Sequence, residues 1–149
     1  VSFALLDFSE KHPIRLPENF VVMETGGMKG RRREMVREEL HEILCSRFQT
    51  PAIHSEYGMT ELLSQAYSTG KGLFRTPPWM KTLIRDINDP FRYLPAGRTG
   101  AINIIDLANI HSCAFIATQD LGRINDDGTF EVLGRYDHSD VRGCNLMVN

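Results

Sequence analysis

Two short apolar runs, each cut off by glycine, most restrict what this chain can become. Phe20-Val21-Val22-Met23-Glu24 ends at Thr25-Gly26-Gly27, and Pro51-Ala52-Ile53-His54-Ser55-Glu56-Tyr57 ends at Gly58. Runs this short, closed by turn formers, have the pattern of strands leaving a sheet. Between them, from Arg31 to Phe48, the apolar residues Val36, Leu40, Ile43, Leu44 and Phe48 fall at steps of four, three, one and four. That spacing places them on one stripe of a 3.6-residue period, with Glu34, Arg37, Glu38, Glu39 and Glu42 on the solvated side. Strand, glycine loop, helix, strand, glycine loop is the order of an α/β sheet.

After Gly70 the character changes. Leu73-Phe74, Lys81 to Asp86, Ala101 to Leu107, Ser112 to Ala117 and Thr129 to Leu133 are short strand candidates separated by Gly, Pro, Asn and Asp. The expected architecture is an α/β sheet segment over residues 1–69 followed by a β-rich subdomain over residues 70–149, with the break between residues 69 and 78. Phe3 to Phe8 is expected to close a short helix or strand, and Pro13 and Pro17 to mark a loop. Thr60-Glu61-Leu62-Leu63 is expected to begin a helical turn, for which Thr60 can act as the N-cap.

Charge and cysteine content narrow the function classes. With 17 Lys+Arg against 19 Asp+Glu the net charge is -2, so the cationic excess that supplies most nucleic-acid affinity is missing. No run of about 18 apolar residues is present to span a bilayer. Cys45, Cys113 and Cys144 are odd in number and lack C-x-x-C spacing, which fits a reducing compartment and an expected cytoplasmic location. Val1 opens the sequence without an initiator Met, a basic leader or a small-residue cleavage site, the pattern expected inside a longer chain.

Several segments carry chemistry. Glu24 to Arg33 lies between a strand and a helix, where backbone N–H groups and the helix dipole can receive a phosphate, and its glycines permit close backbone approach. Lys29, Arg31, Arg32 and Arg33 crowd the start of that helix, where the dipole disfavours cations, so an anionic ligand or partner accounts for them better than helix stability does. A glycine-rich strand-to-helix connection is nonetheless more often a plain turn. Ser68-Thr69-Gly70-Lys71-Gly72 fails as a phosphate loop, since Gln65 and Gly72 stand where Gly and Ser or Thr are needed, and reads as a turn. His111 and Cys113 would share one side of a strand, but the further ligands of a zinc site are lacking.

Tyr57-Gly58-Met59-Thr60-Glu61 places an aromatic ring, a permissive glycine, a hydroxyl and a carboxylate in five positions. The set can stack a base, bond a phosphate and hold magnesium, which prefers carboxylate and phosphate oxygens. Thr118-Gln119-Asp120-Leu121-Gly122 follows an apolar strand. Gly134-Arg135-Tyr136-Asp137 follows a hairpin arm after the turn Asn125-Asp126-Asp127-Gly128. An aspartate and an arginine at the ends of neighbouring strands suit a diol beside a phosphate.

Taken in order, these segments resemble the adenylate-forming enzymes, the superfamily of acyl-CoA synthetases, firefly-type luciferases and peptide-synthetase adenylation domains. Tyr57 to Glu61 matches the Y-G-x-T-E motif of that superfamily, and Gly97-Arg98-Thr99-Gly100-Ala101-Ile102 is similar to its G-x-x-G-E-L strand entry with Ala101 in place of Glu. Thr118-Gln119-Asp120-Leu121 matches T-G-D-L with Gln119 in place of Gly, and Gly134-Arg135-Tyr136-Asp137 matches G-R-x-D. Gly26-Gly27 falls where the superfamily has a small-residue turn lining the adenine pocket. Within it the chain most resembles the LuxE-type acyl-protein synthetases, through Glu24 to Arg31 and Val141-Arg142-Gly143-Cys144-Asn145-Leu146, with phenylacetate-CoA ligases as the next relatives.

The resemblance implies ATP and Mg2+ as cofactors and a carboxylic acid, expected to be fatty, as substrate. Tyr57 would stack on adenine beside Gly26, Gly27 and Gly58, Thr60 would contact the α-phosphate, and Glu61 would help hold magnesium. Asp120 would bind the ribose hydroxyls, Arg135 ribose or phosphate, and Asp137 would be a hinge. Cys144 would capture the acyl group as a thioester, activated by Arg142 and His138, before an acyltransferase or reductase partner takes it. The superfamily's Ser/Thr/Gly-rich phosphate loop and its C-terminal lysine are not found, so the chain is expected to be the C-terminal portion of such an enzyme and inactive alone. Two other readings stay open: a CoA ligase of the phenylacetate type, and a non-catalytic nucleotide- or partner-binding module, which Gln119 and Ala101 favour.

Overall fold

The computed structural model describes residues 2–26 and 35–136. Gly27, the cations Lys29 and Arg31 to Arg33, Asp137, His138, Arg142 and Cys144 lie outside the described residues. The chain divides into two compact units, Val1–Met59 with Gln65–Arg75, and Thr60–Ser64 with Thr76–Asn149.

The first unit holds helix α1 (Ser2–Lys11), strand β1 (Met23–Thr25), helix α2 (Arg37–Phe48) and strands β2 (His54–Tyr57), β3 (Ala66–Ser68) and β4 (Leu73–Arg75). β1 and β2 run parallel with Glu24 opposite Ser55, and β2, β3 and β4 follow as antiparallel neighbours. Leu6, Leu40, Leu44, Phe48 and Ile53 form the core, so the two helices and the entry to β2 share one apolar centre. Arg47 joins the helices by donating to Ser9 Oγ at 3.0 Å and to the Leu6 carbonyl at 3.4 Å.

Three local expectations need correction. The helix starts at Arg37, with Val36 extended (ψ 150) and 66% exposed, so Val36 leaves the buried stripe and His41 joins it. Its first turn holds Glu38 and Glu39, which suit the positive end of the dipole. The first strand does not bury its apolar run, because Phe20 and Val21 are more than half exposed and its buried side chain is the carboxylate of Glu24. Thr60 to Leu63 forms a turn and no helix, for a reason that lies in the second unit.

The second unit is a meander of β5 (Met80–Arg85), β6 (Gly100–Asp106), β7 (Phe115–Ile124) and β8 (Phe130–Arg135), in the order β8-β7-β6-β5 with every neighbour antiparallel. Met80, Ile84, Ile102, Ile104 and Phe130 are buried at its centre. Gly100 admits no side chain, since a Cβ there would lie 2.3 Å from the Arg85 carbonyl oxygen. The expected turn at Asn125 to Gly128 connects β7 and β8, closed by the Asn125 and Gly128 amides and by Asp127 accepting from the Thr129 amide. His111 and Cys113 sit in the connection before β7, not on a strand, so the shared-face argument for them fails.

Candidate functional site

In the first unit, β1 and β2 end side by side and pointing the same way, which puts the Gly26 turn and the Tyr57-Gly58 loop at the carboxyl ends of adjacent parallel strands. Ligands of α/β sheets bind at such strand ends. Gly26 has φ of 75°, a left-handed conformation that suits glycine. Tyr57 is 8% exposed, with its ring edge-on to Phe74 at 6.0 Å between centroids, and the Arg37 guanidinium lies 5.1 Å above the Phe74 ring. Gly58 is exposed.

Beneath that edge lies a group that sequence reasoning did not single out. Glu24 Oε1 accepts from Ser55 Oγ at 2.7 Å and Oε2 from Ser2 Oγ at 2.8 Å, while His41 Nε2 stands 3.6 Å and Arg37 Nε 3.8 Å from Oε1. Burial alone raises the Glu24 pKa, but His41, the two serine hydroxyls and the Arg37 charge outweigh it and hold the group below its ordinary 4.5.

In the second unit, Thr60 and Glu61 are exposed in a turn whose path is set by Asp106. This fully buried carboxylate accepts from the amides of Leu63 (3.0 Å), Ser64 (2.9 Å) and Ala108 (3.1 Å) and from Ser64 Oγ (2.6 Å). Asn109 adds a bond from Nδ2 to the Glu61 carbonyl at 2.8 Å, and Trp79 Nε1 donates to Ser64 Oγ at 2.9 Å. The Ser64 amide, which in a helix capped by Thr60 would donate to the Thr60 carbonyl, donates to Asp106 instead, and the expected helical turn does not form. Burial pushes the Asp106 pKa upward, and the Ser64 hydroxyl together with the three amides pulls it further down, below the ordinary 3.8.

Asp120 and Arg135 are cross-strand partners in β7 and β8. Arg135 Nε lies 3.5 Å from Asp120 Oδ1, and Arg135 Nη2 donates to Gln119 Oε1 at 3.3 Å, so the residue that replaces the motif's glycine touches the arginine. The Arg135 side chain is 74% exposed and that of Asp120 is 15%. Both were expected at strand ends. Asp120 instead lies within the long strand β7, and the pairing brings the two together as anticipated. Behind them Arg85, also missed, is buried and donates to the carbonyls of Ile102 and Thr118, to Asn103 Oδ1 and to the Tyr136 hydroxyl. An open groove of about 510 Å³ in this unit is lined by Asp86, Asn88, Arg92, Arg98 and Thr99 among others, and includes none of the expected site residues.

Among the described residues no group of three or more His, Cys, Asp or Glu could hold a metal ion, and no helix is long and apolar enough to cross a membrane. Glu61 fits magnesium in the more limited sense that this ion takes one or two carboxylates and completes its shell with phosphate oxygens and water.

No protein-family profile matches the chain, and no curated protein matches it in sequence. Solved structures do match in fold. The o-succinylbenzoate CoA synthetase (MenE) of Bacillus subtilis, bound with a product analogue, aligns with 91% of this chain and 30% of its own at a TM-score of 0.65 and 20% identity. The same enzyme in complex with ATP and magnesium ion aligns at 0.61 and 22% identity over 88% of this chain and 30% of its own. ATP-bound MatB from Rhodopseudomonas palustris aligns at 0.58 and 16% identity, over 91% of this chain and 33% of its own. The chain therefore spans about a third of the length of these proteins, and its mixed α/β fold is the fold of that part of them.

Proposed function

We propose that this chain is the nucleotide-handling part of an adenylate-forming ligase that uses ATP and Mg2+ to activate a carboxylic acid. The observation that carries this reading is the placement of the ordered motifs. Gly26 and Tyr57-Gly58 occupy the carboxyl ends of adjacent parallel strands, and Asp120 and Arg135 form a cross-strand pair. The likeness in fold to structures that hold ATP, in one case with magnesium ion, supports it.

In this reading the adenine meets the Gly26 turn, Gly27, Gly58 and Tyr57, whose ring is held by Phe74. Asp120 accepts from the ribose hydroxyls, and the exposed Arg135 reaches ribose or phosphate. Thr60 offers a hydroxyl to the α-phosphate, and Glu61 offers a carboxylate to magnesium, with both side chains exposed on the turn that Asp106 fixes. Magnesium, when bound, supplies charge stabilisation at the α-phosphate as the acyl carboxylate attacks it and pyrophosphate leaves.

The finer reading is a LuxE-type acyl-protein synthetase. It activates a fatty acid, loads it on Cys144 as a thioester and passes it to an acyltransferase or reductase partner. Acid-dependent exchange of pyrophosphate into ATP by the full-length protein tests the adenylation step, and its absence would leave a nucleotide- or partner-binding module. ATP- and acid-dependent labelling tests the acceptor. Cys144→Ser should abolish a hydroxylamine-labile acyl label, and a label that persists removes Cys144 from the role. The fold shared with a CoA synthetase favours one second reading, a CoA ligase, which would make a CoA-dependent product and tolerate loss of Cys144.

A further inference from the structure

A buried carboxylate in a three-residue strand adds nothing to apolar packing and carries a desolvation cost unless its partners offset it. β1 nevertheless buries Glu24 and leaves the apolar Met23 41% exposed. What Glu24 adds is geometry. Through Ser55, its register partner, it holds β2 two residues before Tyr57. Glu24 Oε2 and the Gly26 carbonyl oxygen share the single Ser2 hydroxyl proton, at 2.8 and 2.6 Å from Ser2 Oγ, so the carboxylate and the turn after β1 meet at one group of α1. From α2, His41 Nε2 reaches Ser55 Oγ at 3.3 Å, and Arg37 faces the carboxylate. Three elements, α1, α2 and β2, thus converge on one side chain of β1, two residues from the Gly26 turn and opposite the residue two before Tyr57.

We propose that Glu24 is a positioning residue that sets the spacing between the Gly26 turn and the Tyr57-Gly58 loop, and hence the fit of the adenine base. This rests on the nucleotide role proposed above. Displacement of a binding group by about 1 Å is enough to lose most of its contribution, so a change at Glu24 should act on base recognition and leave phosphate recognition alone.

The test is calorimetric titration of the full-length protein with ATP and, separately, with inorganic tripolyphosphate, alongside thermal melting. Glu24→Gln should weaken ATP binding about tenfold while tripolyphosphate binding stays within about twofold. Ser2→Ala, which leaves the Ser55 bond intact, should weaken ATP by about threefold with the same selectivity and decides the matter if the first variant does not fold. Unchanged ATP binding in both variants, or equal losses for ATP and tripolyphosphate, would overturn the proposal. Absence of ATP binding by the unaltered protein would instead overturn the nucleotide reading itself, and the positioning role with it.

Discussion

Glu24 in the first unit and Asp106 in the second are both buried carboxylates in strands, and both titrate below their ordinary values, yet they are held in different ways. Asp106 is gripped mainly by backbone amides, from Leu63, Ser64 and Ala108. Glu24 is gripped by side chains, the hydroxyls of Ser2 and Ser55 with His41 and Arg37 beside them. A backbone N–H can only donate, whereas a hydroxyl can rotate and accept. The Asp106 cluster therefore dictates a chain path, and the Glu24 cluster holds a geometry that its partners can readjust.

Substitution tests that distinction, and the largest effect is expected for Asp106→Ala. Three amides and the Ser64 hydroxyl lose their acceptor, at a cost of about 3–5 kcal/mol in urea unfolding. Asparagine and glutamine sharpen the contrast. Asp106→Asn turns an NH2 group toward fixed donors and should cost about 2–3 kcal/mol, whereas Glu24→Gln meets hydroxyls that can reverse and should cost about 1–2 kcal/mol. Equal costs would break the comparison.

Acid unfolding gives a smaller effect of defined sign. Because both pKa values are lowered on folding, each carboxylate contributes fully above its ordinary value, 4.5 for Glu24 and 3.8 for Asp106, and that contribution fades as pH falls through the lower folded value. Stability should therefore decline with acid below these values. Asp106→Asn should flatten the part of the decline that begins near 3.8 and Glu24→Gln the part that begins near 4.5. Trp79, the sole tryptophan, is bonded through Ser64 to Asp106, so its fluorescence reports the loss of that turn directly. The smallest expected change is Ser64→Ala, about 1 kcal/mol, since the Asp106 carboxylate keeps its three amides and the half-exposed Trp79 can bond water instead.

Much of the local structure was legible because its causes are local. The Asn125 to Gly128 turn is specified by residues that bond within five positions of one another, and β5, β6 and β8 follow the apolar runs between turn formers, whereas β7 shares only Phe115 to Ala117 with the expected run and continues through Asp120 to Ile124. The alignment of Asp120 with Arg135 could be anticipated from the same hairpin. Helix α2 was legible in its stripe but not in its start, because Val36 matches the period while adopting an extended backbone. β3 went unseen, since Ala66-Tyr67-Ser68 is too short and too polar to announce a strand without its partners.

Residue order by itself determined the alternation of strands, helix and glycine loops, the position of the hairpin, and the spacing of the segments proposed to handle nucleotide. Only the tertiary structure decided that Thr60-Glu61 is a turn, that Glu24 is buried beneath the Gly26 turn, and that Arg85 is buried among strand carbonyls. The physical reason is separation along the chain. Asp106 meets Ser64 across 42 positions and Glu24 meets Ser55 across 31, and apart from the Ala108 amide next to Asp106 neither carboxylate has a partner in its own sequence neighbourhood to reveal it.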